Sequence, residues 1–247
     1  MFQHPVIFLD TTDSTNLFAR ELINTNKAEH GTVIQAGSQL NGRGRRNSHW
    51  QSTPGLNLTF SIILFPADLS FMRHFELNQT FSLGIYDFLL SKGIQQVKVK
   101  WPNDILVSGR KIAGILLENT IRGKLITSII AGIGININQE VFEGEFTLSP
   151  ISVKMLLGEN YNLETTLQEA LHFIMLRYEE LSSGKSEKLK KDYLLALFKL
   201  HEPCRFKSGD ETWNGMICGI TEEGELVIEK DSGKLVIHNM DAIQMVP

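Results

Sequence analysis

The sequence is poor in cysteine. Its two cysteines, Cys204 and Cys218, both lie near the C-terminus of a chain of 247 residues. Two cysteines make neither a disulfide scaffold nor a four-ligand zinc site, so we expect two free thiols in a reducing compartment, with a single disulfide as the alternative. The seven histidines show no metal-ligand spacing, and we predict no metal held by the protein itself.

Long apolar runs and an excess of basic residues are also missing. No apolar run approaches the ~20 residues that are needed to span a bilayer, and residues 1–5 have no basic segment followed by an apolar core. The net charge of -4 argues against a constitutive nucleic-acid binder, which usually carries a basic excess. We therefore predict a cytoplasmic protein that binds neither membrane nor DNA.

Two common catalytic signatures are absent from the sequence. It has no Gly-x-x-x-x-Gly-Lys-Ser/Thr motif, which excludes a P-loop protein. It also has no serine in a Gly-x-Ser-x-Gly motif, which excludes the nucleophile elbow of serine hydrolases.

The pattern of apolar residues predicts an α+β fold. Apolar residues make up 42% of the chain, which is enough for a sizeable core. Period-two alternation predicts a strand over residues 56–64, helical spacing predicts a helix over residues 71–92, and turn residues predict an antiparallel meander over residues 105–136. Further helices are predicted over residues 15–24, 165–181 and 186–200. We expect a mixed or antiparallel sheet flanked by helices.

The character of the sequence changes near His201. Beyond this residue, short strands are separated by Ser208-Gly209, Glu223-Gly224 and Ser232-Gly233. Short strands at this spacing are typical of a small β-barrel. We therefore predict one large domain over residues 1–201 and a small barrel domain over residues 202–247.

The most informative stretch is a loop rich in glycine and arginine. Gly42 and Gly44 alternate with Arg43 and Arg45, and Arg46 follows. The glycines let the backbone fold back and aim its amides inward, and guanidinium groups favour the oxygens of phosphate and carboxylate. The loop predicts an anion site, with a solvated basic turn as the alternative.

A second motif, Lys100-Trp101-Pro102-Asn103-Asp104, places a cation, an amide and a carboxylate at the end of a strand. The proline ends the hydrogen-bond ladder, so that Asn103 and Asp104 project from a turn. We predict that Trp101 lies in the core and that Lys100 faces the other way. The alternative for Asn103 and Asp104 is a turn pair that bonds its own backbone.

Glycines inside two strands indicate close approach by a ligand or another backbone. Gly114 lies in one strand, and Gly132 and Gly134 share a face of the next strand with Asn136. They predict a shelf without side chains on which a flat ligand such as a purine could rest, with a barrel corner as the alternative. The cations predicted around this shelf are Arg43, Arg45, Lys100 and Lys111. The arrangement favours charge neutralisation of a phosphate-bearing substrate without a covalent enzyme intermediate.

Ser14 and Thr15 precede the first predicted helix. Residues of this type commonly cap a helix, and this is the simple interpretation. The functional alternative places their hydroxyls and the helix-start amides on a polar ligand.

These motifs, taken in order, resemble those of the biotin protein ligases, and the resemblance covers nearly the whole chain. The matching stretches are Asp13-Ser14-Thr15-Asn16, Gly42-Arg43-Gly44-Arg45-Arg46, Lys100-Trp101-Pro102-Asn103-Asp104, residues 109–118 and residues 132–136. Each motif is weak alone, but five in the family order are highly specific.

The resemblance implies a class II synthetase-like fold with an SH3-like C-terminal barrel. It implies that ATP and biotin are the substrates, that Mg²⁺ accompanies ATP, and that a biotin carboxyl carrier protein or domain accepts the biotin. A homodimer formed through an edge strand at residues 124–136 is a further expectation. The chain begins about a dozen residues before the Ser-Thr motif, so we expect no helix-turn-helix domain and no operator binding.

The resemblance also implies roles for individual residues. The implied biotin-binding residues are Ser14, Thr15, Gln39, Gly42, Arg43, Lys111, Gly114 and Gly132. The residues implied to bind ATP and the adenylate are Arg43, Arg45, Arg46, Trp50, Lys100, Asn103, Lys111, Gly134 and Asn136. The implied catalytic residues are Arg43, Lys111 and Asp104.

Within these sets the implied contacts differ. Ser14, Thr15 and Gln39 would bond the ureido group of biotin. Arg43 would bond the phosphate side of the adenylate, and Lys111 would contact both the biotin carboxylate and the ATP phosphates. Arg45 and Arg46 would order the loop over the adenylate, and Trp50 would belong to the mobile part of this loop. The remaining catalytic residue, Asp104, would orient or deprotonate the acceptor lysine.

One departure from the family pattern concerns the loop. It continues as Asn47-Ser48-His49, where many relatives have a glycine and further basic residues, so we expect a less cationic loop. The alternatives are a lipoate–protein ligase and a module that binds biotin or nucleotide without catalysis. An octanoyl transferase is disfavoured because both cysteines lie outside the catalytic region.

Overall fold

The computed structural model describes residues 5–45, 48–239 and 242–246, and within them eight strands form one large sheet. Its strands are β1 (Val6–Thr12), β2 (Val33–Gln39), β3 (Leu58–Leu64), β4 (Leu69–Ser70), β5 (Val97–Lys100), β6 (Asp104–Val107), β7 (Arg110–Arg122) and β8 (Leu125–Ile135). The strand predicted over residues 56–64 is confirmed as β3. All seven of its residues are buried, so the polar side chains of Thr59 and Ser61 face the protein interior instead of water.

The helices flank this sheet. They are α1 (Thr15–Asn24), α2 (His74–Ser91), α3 (Val153–Leu157), α4 (Leu163–Ser182) and α5 (Ser186–Ala196). The predicted helices are confirmed, although α5 ends four residues early because Leu197 adopts an extended conformation. The short α3 was not predicted from the sequence. It is capped by Ser152, whose hydroxyl accepts a hydrogen bond from Met155 N.

The order of the large sheet is β1-β2-β3-β8-β7-β6-β5, and β4 pairs with β8. The β1–β2 pair is parallel and the other pairs are antiparallel, which confirms the mixed sheet. Residues 124–136 do not form an edge. Their strand, β8, lies between β3 and β7 and also pairs with β4. The prediction of a free edge there is wrong, because both of its hydrogen-bonding sides are already used.

The C-terminal residues form a second, antiparallel sheet. Its strands are β9 (Pro203–Ser208), β10 (Glu211–Ile220), β11 (Leu226–Lys230), β12 (Leu235–His238) and β13 (Gln244–Val246). Their order is β12-β11-β10-β9-β13, which is consistent with the predicted SH3-like domain, although the described strands form an open path and not a closed barrel. Cys204 and Cys218 of this sheet are free thiols.

Trp101 joins the two sheets. It is buried in the main core, as predicted, and its Nε1 donates to Gly224 O, in the turn between β10 and β11 of the second sheet, at 2.9 Å. Gly224 must remain small, since an added Cβ would lie 2.2 Å from the ring of Phe75. The second sheet is thereby held beside the strand end that carries Asn103 and Asp104. None of the helices described above is both long and apolar enough to cross a bilayer.

Candidate active site

The start of α1 is turned towards a cleft. Ser14 is the N-cap residue, but its side chain makes no capping hydrogen bond although it is only 3% exposed. Thr15 N donates to Gln39 Oε1 at 2.8 Å, so a side chain from the end of β2 satisfies a helix-start amide. The capping interpretation therefore does not account for Ser14, and its hydroxyl lines the cleft together with Thr15 and Gln39.

A chain of buried polar groups continues from Thr15 into the protein. Ser61 Oγ lies 2.7 Å from Thr15 Oγ1 and 2.7 Å from Asn16 Oδ1. Asn16 Nδ2 donates to Glu118 Oε2 at 2.9 Å, and Arg20 Nη2 donates to Glu118 Oε1 at 2.7 Å. Sequence reasoning assigned no role to Asn16, Ser61 or Glu118. A signal was present, because Asn16 and Glu118 end two of the motifs and Ser61 interrupts an apolar strand.

The glycine–arginine loop folds back on itself. Gly44 N donates to Ser48 O at 2.7 Å, and Trp50 N donates to Gly42 O at 2.9 Å. Gly42 is required by close approach, because an added Cβ would lie 2.5 Å from Trp50 O. Arg43 forms an isolated β-bridge with His49, and its Nη1 lies 3.9 Å from Glu118 Oε1. Arg46 and Asn47 lie outside the described residues, so the expectation of a less cationic loop stays a prediction.

The predicted shelf is covered by the side chains of Asn16, Trp50 and Lys111. A Cβ at Gly132 would lie 2.2 Å from Asn16 Oδ1, and a Cβ at Gly134 would lie 2.3 Å from the indole of Trp50. A Cβ at Gly114 would meet Lys111 Cε at 3.3 Å. Asn16 is fixed by hydrogen bonds, whereas Trp50 belongs to the loop and its indole Nε1 is buried without a hydrogen-bond partner among the described residues. The space above Gly134 is therefore the part that a loop movement would open.

We expect Gly132→Ala to destabilise the fold more than Gly134→Ala. The new methyl at position 132 collides with a hydrogen-bonded helix residue, and such overpacking costs about 1–3 kcal/mol. At position 134 the loop indole can move aside, so we expect a smaller loss. Chemical denaturation of both variants measures the difference. Equal losses would contradict the distinction between a fixed and a movable cover.

Cations and a carboxylate lie at the other end of the cleft. Lys111 Nζ lies 2.6 Å from Asp104 Oδ1 and 5.7 Å from the centre of the Trp50 ring. Asp104 and Gly114 are register partners on β6 and β7, which brings the second motif against the third. Lys100 lies in an adjoining cleft that also contains Asp104 and Lys111. Burial lowers the pKa of Lys100, Asp104 opposes this change, and Lys111 adds to it.

Two asparagines that were predicted to bind the nucleotide donate hydrogen bonds to backbone carbonyls. Asn103 Nδ2 donates to Ile115 O on β7 at 2.7 Å, so it bonds a neighbouring strand and not the backbone of its own turn, and Asn103 also lines the cleft. Asn136 is buried, and its Nδ2 donates to Ile151 O at 3.0 Å. The structure thus does not bring Asn136 to the cleft, and its amide fastens the end of β8 to the segment before α3.

Most of the predicted site residues meet in this one cleft. Those that line it are Ser14, Thr15, Gln39, Arg43, Arg45, Trp50, Asn103, Asp104, Lys111, Gly114, Gly132 and Gly134. Gly42 lies on the far side of the loop, in a third cleft beside Pro54. The main cleft joins hydroxyl and amide groups at the start of α1 to arginine and lysine groups at the loop. It can therefore hold a ligand that is polar and neutral at one end and anionic at the other.

A mixed sheet with a cleft of this kind indicates a protein that binds an anionic small molecule. The chain belongs to the biotin/lipoate A/B protein ligase family, whose model matches residues 8–136. Residues 200–241 match the biotin protein ligase C terminal domain. The resemblance that the five motifs predicted is confirmed.

Named relatives extend over nearly the whole chain. The bifunctional ligase/repressor BirA of Bacillus subtilis (strain 168) is 31% identical over 243 residues, which are 98% of this chain and 74% of that protein. The biotin–[acetyl-CoA-carboxylase] ligase of Paracoccus denitrificans is 29% identical over 241 residues, covering 93% of this chain and 96% of that protein. The solved structure of the biotin protein ligase from Aquifex aeolicus in complex with biotin and ATP has a TM-score of 0.83, with 24% identity and 99% of both chains covered. This last comparison shows that the fold is shared.

Proposed function

We propose that this protein is an ATP-dependent biotin ligase that forms biotinyl-5′-AMP and transfers biotin to a lysine of a biotin carboxyl carrier protein. The relatives named as biotin ligases support this activity. The single observation that carries it is the cleft that joins Ser14, Thr15 and Gln39 to Arg43 and Lys111. Biotin has the matching chemistry, with a neutral cyclic urea at one end and a carboxylate at the other.

In the first step, the carboxylate of biotin attacks the α-phosphorus of ATP and pyrophosphate leaves. Both reactants are anions, so their approach requires compensating positive charge. Lys111 reaches into the cleft beside Asp104, and Arg43 lies across it near Glu118. We assign these two cations to the charge that accumulates on the phosphate in the transition state, because fixed cations stabilise such charge in a site from which water is excluded.

In the second step, the ε-amine of the acceptor lysine attacks the acyl carbon of the adenylate, and AMP leaves. Near neutral pH this group is an ammonium, which must lose a proton before its nitrogen can attack. Asp104 is the carboxylate that we assign to orienting the ammonium and accepting that proton. In the structure it is paired with Lys111. When Lys111 turns to the substrate phosphate, Asp104 becomes available to the incoming ammonium.

Mg²⁺ belongs to this proposal as the partner of ATP. Within residues 5–45, 48–239 and 242–246, no three His, Cys, Asp or Glu side chains come together as metal ligands. Magnesium at nucleotide sites usually keeps several waters and binds phosphate oxygens with one or two carboxylates. A single nearby carboxylate such as Asp104 fits that mode, and the ion would supply further charge neutralisation at the phosphates.

The division of the chain follows from the same proposal. We assign catalysis to residues 1–201 and the second sheet to a separate C-terminal domain, residues 202–247. Phe206, Leu226 and Met245 of that domain line the cleft that contains Lys100. The C-terminal domain thus walls one side of the region in which the nucleotide and the acceptor would meet.

The activity is tested by exchange of labelled pyrophosphate into ATP with biotin or lipoate as the second substrate. We expect exchange with biotin and not with lipoate, and transfer of biotin to a carrier domain. Exchange only with lipoate would favour a lipoate ligase. Binding of biotin and ATP without exchange would favour a non-catalytic module.

As the pH rises, the activity should begin to fall at a lower pH than it would if Lys100 had the pKa of an ordinary lysine. Because burial lowers the pKa of Lys100, its ammonium loses its proton earlier as the pH rises, and a cation for the phosphates disappears. Lys100→Arg should move this alkaline limb to higher pH, since a guanidinium stays charged. Pyrophosphate exchange measured against pH makes the comparison, with Lys98→Arg on the exposed part of β5 as the control. Superimposable profiles for wild type and Lys100→Arg would exclude Lys100 as the titrating group.

A further inference from the structure

We infer that Asn16 and Ser61 are positioning residues that orient the hydroxyl of Thr15, so that Thr15 presents a hydrogen-bond acceptor to the urea N–H of biotin. This inference rests on the proposed function and adds a basis for ligand specificity. Neither residue was assigned a role by its motif. The orientation of each group in the buried chain follows from the number of hydrogens that it can donate.

The orientation of the Asn16 amide is determined by two acceptors. Its Nδ2 lies 2.9 Å from Glu118 Oε2 and 3.3 Å from Leu116 O. A backbone carbonyl and an ionised carboxylate only accept hydrogen bonds, so the amino group must face them. The carbonyl oxygen, Oδ1, therefore faces Ser61. The contact between Asn16 Oδ1 and the backbone of Gly132 is possible because position 132 has no Cβ.

The amide in turn fixes the Ser61 hydroxyl. Ser61 is fully buried, and its Oγ lies 2.7 Å from Asn16 Oδ1. A hydroxyl has one hydrogen, and the amide oxygen has none to offer, so Ser61 must donate to Asn16. Ser61 Oγ then acts as an acceptor in its other 2.7 Å contact, with Thr15 Oγ1. Thr15 uses its only hydrogen in this shorter contact, since Gln39 Oε1 lies farther from Thr15 Oγ1, at 3.2 Å, and already accepts from Thr15 N.

Thr15 is left with acceptor lone pairs on the cleft side. Gln39 is oriented by the same helix start, because its Oε1 accepts from Thr15 N at 2.8 Å. Its Nε2 is therefore the group that remains to donate. The cleft thus offers an acceptor at Thr15 and a donor at Gln39, which matches the N–H and the C=O of a cyclic urea. A ligand with an ether oxygen in place of that N–H would leave two acceptors facing each other, which is costly in a buried site.

A double-mutant cycle tests whether Asn16 acts through Ser61. We expect Asn16→Ala and Ser61→Ala each to raise the Kd for biotin, measured by calorimetry without ATP, by about five- to tenfold. Because both variants break the same relay, the double variant should be little worse than either single one. The Kd for ATP should change by less than about twofold in each, since no group of the phosphate end is altered.

Thr59→Ala is the matched control. It removes another buried hydroxyl from β3, one that donates to Ala36 O, outside the relay, at 2.9 Å. It should lower the thermal midpoint as Ser61→Ala does, without a change in the Kd for biotin. Additive effects of Asn16→Ala and Ser61→Ala, or equal losses of affinity with Thr59→Ala, would overturn the inference. A wild-type protein that binds no biotin would refute the proposed function instead, so the two failures are distinguishable.

Discussion

Lys111→Ala is expected to abolish formation of the adenylate, with little effect on folding. Its side chain is partly exposed and pairs with Asp104 at the mouth of the cleft, so the core does not depend on it. Removing one group that stabilises transition-state charge commonly costs about 10²–10³-fold in rate. The loss here should lie at the upper end of that range, because the variant also leaves Asp104 unpaired where two anions must meet.

Biotin-dependent pyrophosphate release measures this effect, and the double variant Lys111→Ala/Asp104→Ala separates its two sources. If the unpaired carboxylate contributes, the double variant should bind ATP more tightly than Lys111→Ala while remaining inactive in release. Lys98→Ala removes a lysine of similar charge from an exposed site outside the cleft and should leave the rate unchanged. Normal pyrophosphate release by Lys111→Ala would remove this lysine from the mechanism.

Features that depend only on residues close together in the sequence could be predicted. The glycine–arginine loop, the strand that ends before Pro102 and the glycines of β7 and β8 are local patterns, and the structure brings most of them to one cleft. The alternation that predicts β3 does not show that both of its faces are buried. That depends on the helices and strands that cover it, which are distant in sequence.

The parts that could not be predicted are contacts across long sequence separations. Asn16 bonds Glu118 over 102 residues and Ser61 over 45 residues, and no local pattern reports either pairing. The same holds for Gly132, which lines the cleft as predicted and also accommodates Asn16, a contact that no local pattern indicates. Strand order has the same origin, since β8 resembles any hairpin strand in sequence and becomes central only when β3 pairs with it.

These contacts connect the two ends of the site. Glu118 holds Asn16 at the polar end and lies near Arg43 of the loop, while Trp50 of the same loop covers Gly134 and lies beside Lys111. The loop therefore contacts both the carboxylate that orients the polar relay and the lysine assigned to the phosphates. Movement of the loop would therefore alter access to the cleft and the surroundings of Glu118 together.

Arg45→Gly is expected to form the adenylate and then lose it to solvent. Arg45 lines both the main cleft and the adjoining cleft with Lys100, and its carbonyl accepts from Ser48 N at 3.0 Å in the fold-back of the loop. Glycine removes the side chain and adds backbone freedom. Arg43 and Lys111 remain, so the chemical step should continue while the closed loop becomes less populated.

We expect the release rate of biotinyl-5′-AMP to rise about tenfold or more, which corresponds to about 1.4 kcal/mol or more of lost retention. The released mixed anhydride reacts with any exposed amine, so a bystander protein without a carrier domain should become biotinylated. Streptavidin blots of such a bystander, together with pyrophosphate release, measure both parts. Arg122→Ala, at the exposed end of β7, is the control and should label only the carrier. If Arg45→Gly also labelled only the carrier, the adenylate would have to be retained by groups other than the loop. A loop that retained the adenylate would release it into solvent once weakened.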